Sequence, residues 1–364
     1  MADDRTASRA PVSDEARWSA VAEWYHAFFT GLVLTAVTRL GTREAAELVF
    51  RIFRHQHLQR FLPGIRKLGL ERLPPAVTAA RYHYLSNAIG GVRVEYVEES
   101  PRKVWIRYPP PRWAWAGTAV CAVPGEVSRA MLRGWHAHNG VSLGVPRLGF
   151  VCTGQTMEGQ PGLEGYYIEY DRDITPDQRL RFSPGEEAPA FDPAQAPALP
   201  TADWPGERLQ KARRNYAMEY VRTALPQLIA LRGPAEGAWL GNITGRLIGM
   251  QFHAATAAAL GLPDSGDGTD FARFVLALAR AQGDHAEAID DGGPPGVRQS
   301  TCRLTDGVPH PHPAAFDAWN GLLEGALAAH DRRLVLKVTA RPDQGEHAFE
   351  WRVVSRGPAG AGPG

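Results

Sequence analysis

The stretch from Gly125 to Tyr170, GEVSRAMLRGWHAHNGVSLGVPRLGFVCTGQTMEGQPGLEGYYIEY, holds more potential catalytic side chains than any other part of the chain. Its first part has apolar residues at helical spacing, and its second part alternates in the manner of two strands around a turn rich in Gly. The stretch therefore predicts a short helix over 126–138 and then a β-hairpin made of LGFVCT and GYYIEYD.

Upstream of this stretch the same patterns repeat on a larger scale. Apolar residues at helical spacing predict three helices, from Trp18 to near Gly41, from Thr42 to a break at Pro63-Gly64, and over roughly 76–88. The segments VRVEYVE and KVWIRYP then alternate and predict a first hairpin. The order of elements is thus three helices, a hairpin, a helix and a hairpin.

A second copy of this order follows downstream at an offset of 192 residues. Between positions 41 and 91 the chain matches itself at 12 of 51 ungapped positions, including Leu68-Gly69-Leu70 against Leu260-Gly261-Leu262. The segments FDAWNGLLEGALAAH, RLVLKVTA and HAFEWRVV then occupy the places of the short helix and the second hairpin. We therefore predict an α+β fold of two tandem, related subdomains that form a pseudo-dimer within one chain.

Composition sets the boundaries between these parts. We predict a disordered tail over 1–15, a first, active half over 16–171, a linker rich in Pro and Ala over 172–208, a second, structural half over 209–355 and a tail over 356–364.

Charge and cysteine content narrow the class of protein. The formal net charge is +1, which gives no reason to expect a nucleic acid or an anionic membrane as partner. The first residues have no apolar core of a signal peptide, and the apolar segment 28–37 is too short to span a bilayer. Three cysteines without CxxC spacing argue against disulfides and a structural zinc site. We expect a cytoplasmic protein with a small-molecule partner, and further oligomerisation is left open.

The layout resembles a known family. Three helices, a hairpin, a helix that contains Trp135, a strand that contains Cys152 and a final aromatic strand, AFEWRVV, are similar to the L-2-amino-thiazoline-4-carboxylic acid hydrolase-like proteins. The second resemblance is to the small-molecule-binding domain of the 4-vinyl reductase type. The first resemblance implies hydrolysis of a small amide-like or heterocyclic substrate at a C–N or C–S bond, and the second implies ligand binding without chemistry.

The helix 126–138 offers the candidate bases. Val127, Met131, Trp135 and His138 share one stripe of a regular helix, whereas His136 lies about 100° away. We therefore expect His138 to point inward as the general base, with His136 second. The alternative is that both imidazoles only sit favourably at the end of a helix dipole.

The second hairpin offers the remaining candidates. Cys152 is a candidate nucleophile beside an imidazole, or else an inert core thiol. On the closing strand Glu164 and Tyr166 share one face, and Tyr167 takes the other. Glu164 is the candidate acid, Tyr167 an orienting hydroxyl, and the substrate-binding candidates are Trp135, Asn139, Glu158 and Tyr166.

The second half loses the candidate groups. Its short helix has Trp319, Asn320 and Leu322 near the places of Trp135, His136 and His138, and LVLKVTA has no cysteine. Because a structural role should persist in both copies, this asymmetry favours function in the first half. We expect a hydrolase without a cofactor, with two alternatives: a ligand-binding or sensor module, or a metal-dependent enzyme that uses His136, His138 and Glu164.

Overall fold

The computed structural model describes residues 12–110, 113–115, 122–200, 202–308 and 311–356. The chain is α+β, as predicted, with two sheets and long helices. Most of both predicted tails and Cys121 lie outside the described residues. The first helix begins at Asp14, one residue before the predicted end of the N-terminal tail.

The described residues of the first half form four helices in the predicted order, one additional short helix and a five-stranded sheet. Its elements are α1 (Asp14–Leu40), α2 (Thr42–Lys67), α3 (Pro75–Ile89), β1 (Glu95–Ser100), β2 (Lys103–Tyr108), α4 (Gly125–Gly134), α5 (Asn139–Ser142), β3 (Leu148–Gly154), β4 (Leu163–Glu169) and β5 (Leu180–Phe182). The sheet has the order β1-β2-β4-β3-β5. All its pairs are antiparallel except β3 with β5.

In the second half, the part of the chain that the structure describes forms four helices and a four-stranded antiparallel sheet. Its elements are α6 (Gly206–Arg232), α7 (Pro234–Ala259), α8 (Gly268–Gln282), β6 (Ala286–Ile289), β7 (Gly296–Gln299), α9 (Pro313–His330), β8 (Leu334–Ala340) and β9 (Phe349–Ser355). The sheet has the order β6-β7-β9-β8, which is the order of the first four strands of the other sheet.

The lengths of the elements also match between the halves. The first three helices have 27, 26 and 15 residues in both halves. The strands of the last hairpin have seven residues each, in both halves. The register of that hairpin shifts between Cys152 and Gly154 in one half and between Val338 and Ala340 in the other, at the same position along the strand.

The chain divides into two compact units that differ from the predicted halves. The central unit is Val33–Ala212, and the terminal unit comprises the described residues up to Leu32 and from Arg213 onward. Each boundary falls inside a long helix, α1 or α6, because the two ends of such a helix can belong to different cores. The sequence pattern follows whole helices and does not show this division.

In the central unit both faces of the sheet are covered. One face carries Val104, Ile106 and Tyr167 and packs against the helices, mainly α3. The opposite face carries Trp105 and Tyr166, and Ala188 of the predicted linker packs against them. The linker, expected to be without regular structure, also contributes strand β5, which pairs with β3.

In the terminal unit α7 and α9 pack at very close range. Gly241, Gly245 and Gly249 form one buried face of α7, and Gly321 and Gly325 lie on the facing side of α9. A Cβ atom at Gly249 would overlap the carbonyl oxygen of Leu322. Glycine is required at these positions because each helix lies against the backbone of the other.

One helix satisfies a length and composition criterion for a membrane span. α1 has 27 residues, and 56% of its most apolar window is buried within the protein. This criterion is also met by the core helices of proteins that do not enter membranes.

Candidate functional site

The candidate site is built around a break in the helix that we predicted over 126–138. α4 ends at Gly134, and the backbone leaves helical geometry at Trp135, with φ −110° and ψ −70°. Arg54 of α2 accounts for the break, because its guanidinium donates to the carbonyl oxygens of Gly134 and Arg133, each at 2.9 Å. These carbonyls lack the partners that a continuing helix provides.

The break reverses the predicted roles of the two histidines. A 3₁₀ turn, His136–His138, follows Trp135, and α5 follows the turn. His136 is 3% exposed, whereas His138 is only partly buried. Our prediction that His138 points inward ahead of His136 is therefore wrong, because it assumed a regular helix through both residues.

Five side chains, each from a different element, form a buried polar network that includes His136. The Tyr108 hydroxyl lies 3.4 Å from His136 Nε2 and 3.5 Å from His83 Nδ1. The Asn139 amide nitrogen lies 3.1 Å from His83 Nε2 and donates to the Tyr167 hydroxyl at 2.9 Å. Each of the five side chains is at most 3% exposed.

The network fixes the orientation of its members. In this arrangement the Asn139 amide can only donate, so His83 Nε2 accepts and the His83 proton lies on Nδ1. The rings of His83 and His136 stack with their centroids 4.2 Å apart and their planes 17° apart. Asn139 Oδ1 is buried and has no hydrogen-bond partner among the described residues. A buried amide oxygen without a partner is costly.

A second pair of polar side chains adjoins the network. His57 of α2 is 1% exposed, and its Nε2 lies 2.8 Å from Ser142 Oγ. The His57 ring stacks on Phe61 at 4.7 Å and meets the edges of Trp135 at 5.6 Å and His138 at 5.1 Å.

The imidazoles of His57 and His138 are both neutral at pH 7. Burial, and then the neighbouring charge of His138, lowers the pKa of His57 to about 3. Burial, and then the charge of Arg54, lowers the pKa of His138 to about 4. A neutral imidazole presents a lone pair and can accept a proton or a hydrogen bond.

The lowered pKa values predict acid sensitivity. Below pH 6.5 the unfolded chain protonates His57 while the folded protein does not, so stability is present above that pH and is lost as the pH falls. We expect His57→Gln to make the free energy of unfolding fall less steeply, by about 2 kcal/mol in total between pH 6.5 and 4.5.

Urea unfolding at several pH values measures this effect. His285→Gln is the matched control, because His285 is exposed and its replacement should leave the slope unchanged. Equal slopes for wild type and His57→Gln would contradict the burial of a neutral imidazole.

A groove adjoins the contact between Ser142 and His57. Its volume is about 380 Å³, and it opens at the surface of the central unit between the end of α2, the start of α3 and the end of α5. Most of its lining is apolar: Leu62, Ile65, Leu73, Pro75, Leu143 and Val145. Its polar lining is Arg66, Glu71, Thr78 and Ser142. Ser142 therefore connects the groove to His57.

Cys152 does not form the predicted nucleophile–base pair. Its thiol is 2% exposed and lies 3.5 Å from the Gly154 carbonyl oxygen, and no hydrogen bond in the described part of the chain joins it to His138. Burial raises the pKa of the Cys152 thiol to about 12. A thiol in such surroundings is a poor nucleophile.

Glu164, Tyr166 and Glu158 lie away from the network. Glu164 lies 3.6 Å from Arg107, and burial raises its pKa. Tyr166 donates to Glu186 at 3.0 Å on the same face of the sheet. Glu158 is exposed and lies 3.4 Å from Arg129. Of the candidates named from the sequence, the network contains His136, Asn139 and Tyr167, and Trp135 packs beside it.

The metal site proposed as an alternative, with His136, His138 and Glu164 as ligands, does not have its ligands placed together. Within the part of the chain that the structure describes, no group of three His, Cys, Asp or Glu side chains is placed to hold a metal ion. Glu164 faces the opposite side of the sheet from Tyr167, and Tyr167 packs against His136.

The terminal unit does not carry the network. At the offset of 192 residues, His57 and His83 correspond to Gly249 and Val275, and Tyr167 corresponds in strand position to Val353. Its α9 is a continuous helix without a break. It contains instead a buried pair, His253 and His330, with 3.2 Å between Nε2 and Nδ1.

Comparison with protein-family models, with curated proteins and with solved structures gives no match for this chain.

Proposed function

We propose that the protein binds a small molecule in the groove of the central unit, with the hydrogen-bonding end of the ligand at Ser142 and His57. One observation carries the proposal: in the described part of the chain the groove reaches a buried imidazole, His57, through Ser142, and the second half has Gly249 at the place of His57. Buried polar contacts contribute little net stability, so a role beyond folding explains why the first half has this one.

The proposal includes an internal duplication. Equal helix lengths, the same order of strands and the same bulge in the last hairpin support descent of both halves from one α+β unit. After duplication, the α7 face that lies against α9 carries glycines where α2 carries Val49, Phe53 and His57.

A groove of this composition favours one class of ligand. An apolar lining takes up an apolar body, and a few polar groups fix its orientation. Arg66 and Glu71 lie at the groove and are exposed. We expect a ligand of small size with an apolar body and a carbonyl, hydroxyl or charged end.

Filling the groove tests this proposal. A fragment library is screened against the full chain by ligand-observed NMR, and hits are repeated with Leu73→Trp. We expect Leu73→Trp to weaken groove ligands at least about 10-fold, since an indole occupies much of their space.

Leu247→Trp is the matched control, because Leu247 is 51% exposed and belongs to the terminal unit. It should leave binding unchanged. Hits that bind equally to all three proteins, or the absence of any hit for the folded chain, would contradict the proposal.

A hydrolase that resembles the L-2-amino-thiazoline-4-carboxylic acid hydrolase-like proteins is the second candidate. It would cleave a small substrate at a C–N or C–S bond. The observation that favours it is a hydroxyl within hydrogen-bond distance of a neutral imidazole, Ser142 and His57, beside a groove. We place either function in the cytoplasm, with neither a nucleic acid nor a membrane as partner.

A further inference from the structure

The contact between Ser142 and His57 has the geometry of a nucleophile and its base. The separation of 2.8 Å between Ser142 Oγ and His57 Nε2 is that of a good hydrogen bond. Ser142 is partly exposed at the groove, while the imidazole is buried behind it. A substrate in the groove can therefore contact the hydroxyl, and Nε2 of the base lies directly behind that hydroxyl.

The imidazole is held in place by its neighbours. Phe61 covers one face of the His57 ring, and Trp135 and His138 meet it at interplanar angles of 87° and 81°. Such packing fixes the direction of Nε2 in advance of binding, which is a requirement for proton transfer at a defined distance.

The terminal unit contains a buried histidine contact of another kind, since Gly249 stands at the place of His57. There the last residue of α9 is His330, which contacts His253, and both rings are at most 4% exposed. Neither imidazole can serve as a hydroxyl nucleophile. Within the described residues, a contact of a hydroxyl with a buried imidazole beside a groove is found in the central unit.

From these contacts we infer that Ser142 is an acyl-accepting nucleophile and that His57 is its general base, acting on a small ester or thioester with an apolar acyl group. This inference rests on the proposed binding of a small molecule in the same groove. It replaces Cys152 and His138 in the roles expected from the sequence.

The reaction has two balanced steps. Ser142 Oγ attacks the carbonyl carbon of the substrate, its proton moves to His57 Nε2, and the bond to the leaving oxygen or sulfur breaks as that atom takes the proton from His57. Water then attacks the acyl-serine, gives a proton to His57, and releases the carboxylic acid as Ser142 recovers its proton. No oxidant, reductant or metal is consumed.

The lining of the groove sets the acyl group of the substrate, because Leu62, Ile65 and Leu73 favour an apolar one. Burial lowers the pKa of His57, so the imidazole is a weak proton acceptor. Aryl esters and thioesters need the least help from a base, because their leaving groups depart as stable anions. We therefore expect activity on these acyl donors and little on amides.

Labelling with a fluorophosphonate probe tests the inference on the full chain. Intact-mass analysis and peptide mapping should find the probe on Ser142, and hydrolysis of 4-nitrophenyl butyrate should proceed in parallel. Ser142→Ala should abolish both, and His57→Gln should slow both about 100-fold. Ser183→Ala is the control, since Ser183 follows β5 and lies outside the groove lining; it should change neither rate.

Two outcomes would overturn the inference: no probe on Ser142 of the folded wild-type protein, or equal hydrolysis by wild type and Ser142→Ala. If groove ligands still bind in either case, only the chemistry fails and the binding function stands. If neither binding nor labelling occurs, both proposals fail. Should His57→Gln not fold, Ser142→Ala decides alone, because it removes a single oxygen atom.

Discussion

Alanine at Gly249 is expected to lower the free energy of unfolding of the terminal unit by about 3 kcal/mol, the upper part of the range for overpacked sites. The added methyl group would overlap the Leu322 carbonyl oxygen and lie 2.7 Å from the Ala326 backbone nitrogen. Backbone atoms cannot rotate away as a side chain can, so α7 and α9 must separate. Helix propensity alone predicts the opposite sign, a gain of about 1 kcal/mol.

Urea unfolding followed by circular dichroism measures this effect. Gly206→Ala supplies the matched substitution at a helical glycine with open space around its Cβ position. It should leave stability unchanged or raise it slightly. A Gly249→Ala protein as stable as Gly206→Ala would show that the two helices are not in backbone contact.

Leucine at Asn139 is expected to destabilise the central unit by about 3 kcal/mol, as buried polar groups left without partners do. The change removes the donor to His83 Nε2 and to the Tyr167 hydroxyl, both of which are buried. The volume of the side chain is nearly conserved, so the lost hydrogen bonds dominate the cost.

A double-mutant cycle with Tyr167→Phe isolates the hydrogen bond between Asn139 and Tyr167. We expect Asn139→Leu to cost about 1 kcal/mol less when the hydroxyl is already absent. Additive effects of the two substitutions would mean that the two side chains are not coupled.

The helices and hairpins were predictable because their patterns are local. Apolar residues at helical spacing and alternating segments identified the longer helices and most strands, but not the four-residue helix α5. The strands of each hairpin paired as expected. Strand β5 was missed because Leu180–Phe182 is too short to show alternation. Its partner β3 lies some thirty residues upstream, as the pairing Phe150↔Leu180 shows.

The centre of the site was only partly predictable because the side chain of a residue distant in sequence stabilises the break in the helix. The run 126–138 has an unbroken helical pattern, and the break at Trp135 depends on Arg54, 80 residues away from Gly134. Without that break His138 would have shared the inward stripe.

His83 was overlooked although its position held a signal. It lies on the same face of α3 as Ala76, Ala79, Ala80 and Asn87, which are all buried. A histidine on a face of small apolar residues is a reasonable candidate for a buried polar contact. Ser142 gave no comparable signal, since a serine at the end of a short helix is common.

The two described cysteines have thiols of low reactivity in the folded protein. Burial raises the pKa of Cys152 to about 12 and that of Cys302 to about 11, so neither thiol forms much thiolate while the protein remains folded. Cys152 belongs to the central unit and Cys302 to the terminal unit. Cys152 is buried, whereas Cys302 is partly exposed. Alkylation of Cys152 must therefore wait for local opening of the central unit, and its rate, measured by peptide mapping, reports how often that unit opens. Cys152 thus serves as a native reporter of local unfolding, and no dye has to be attached.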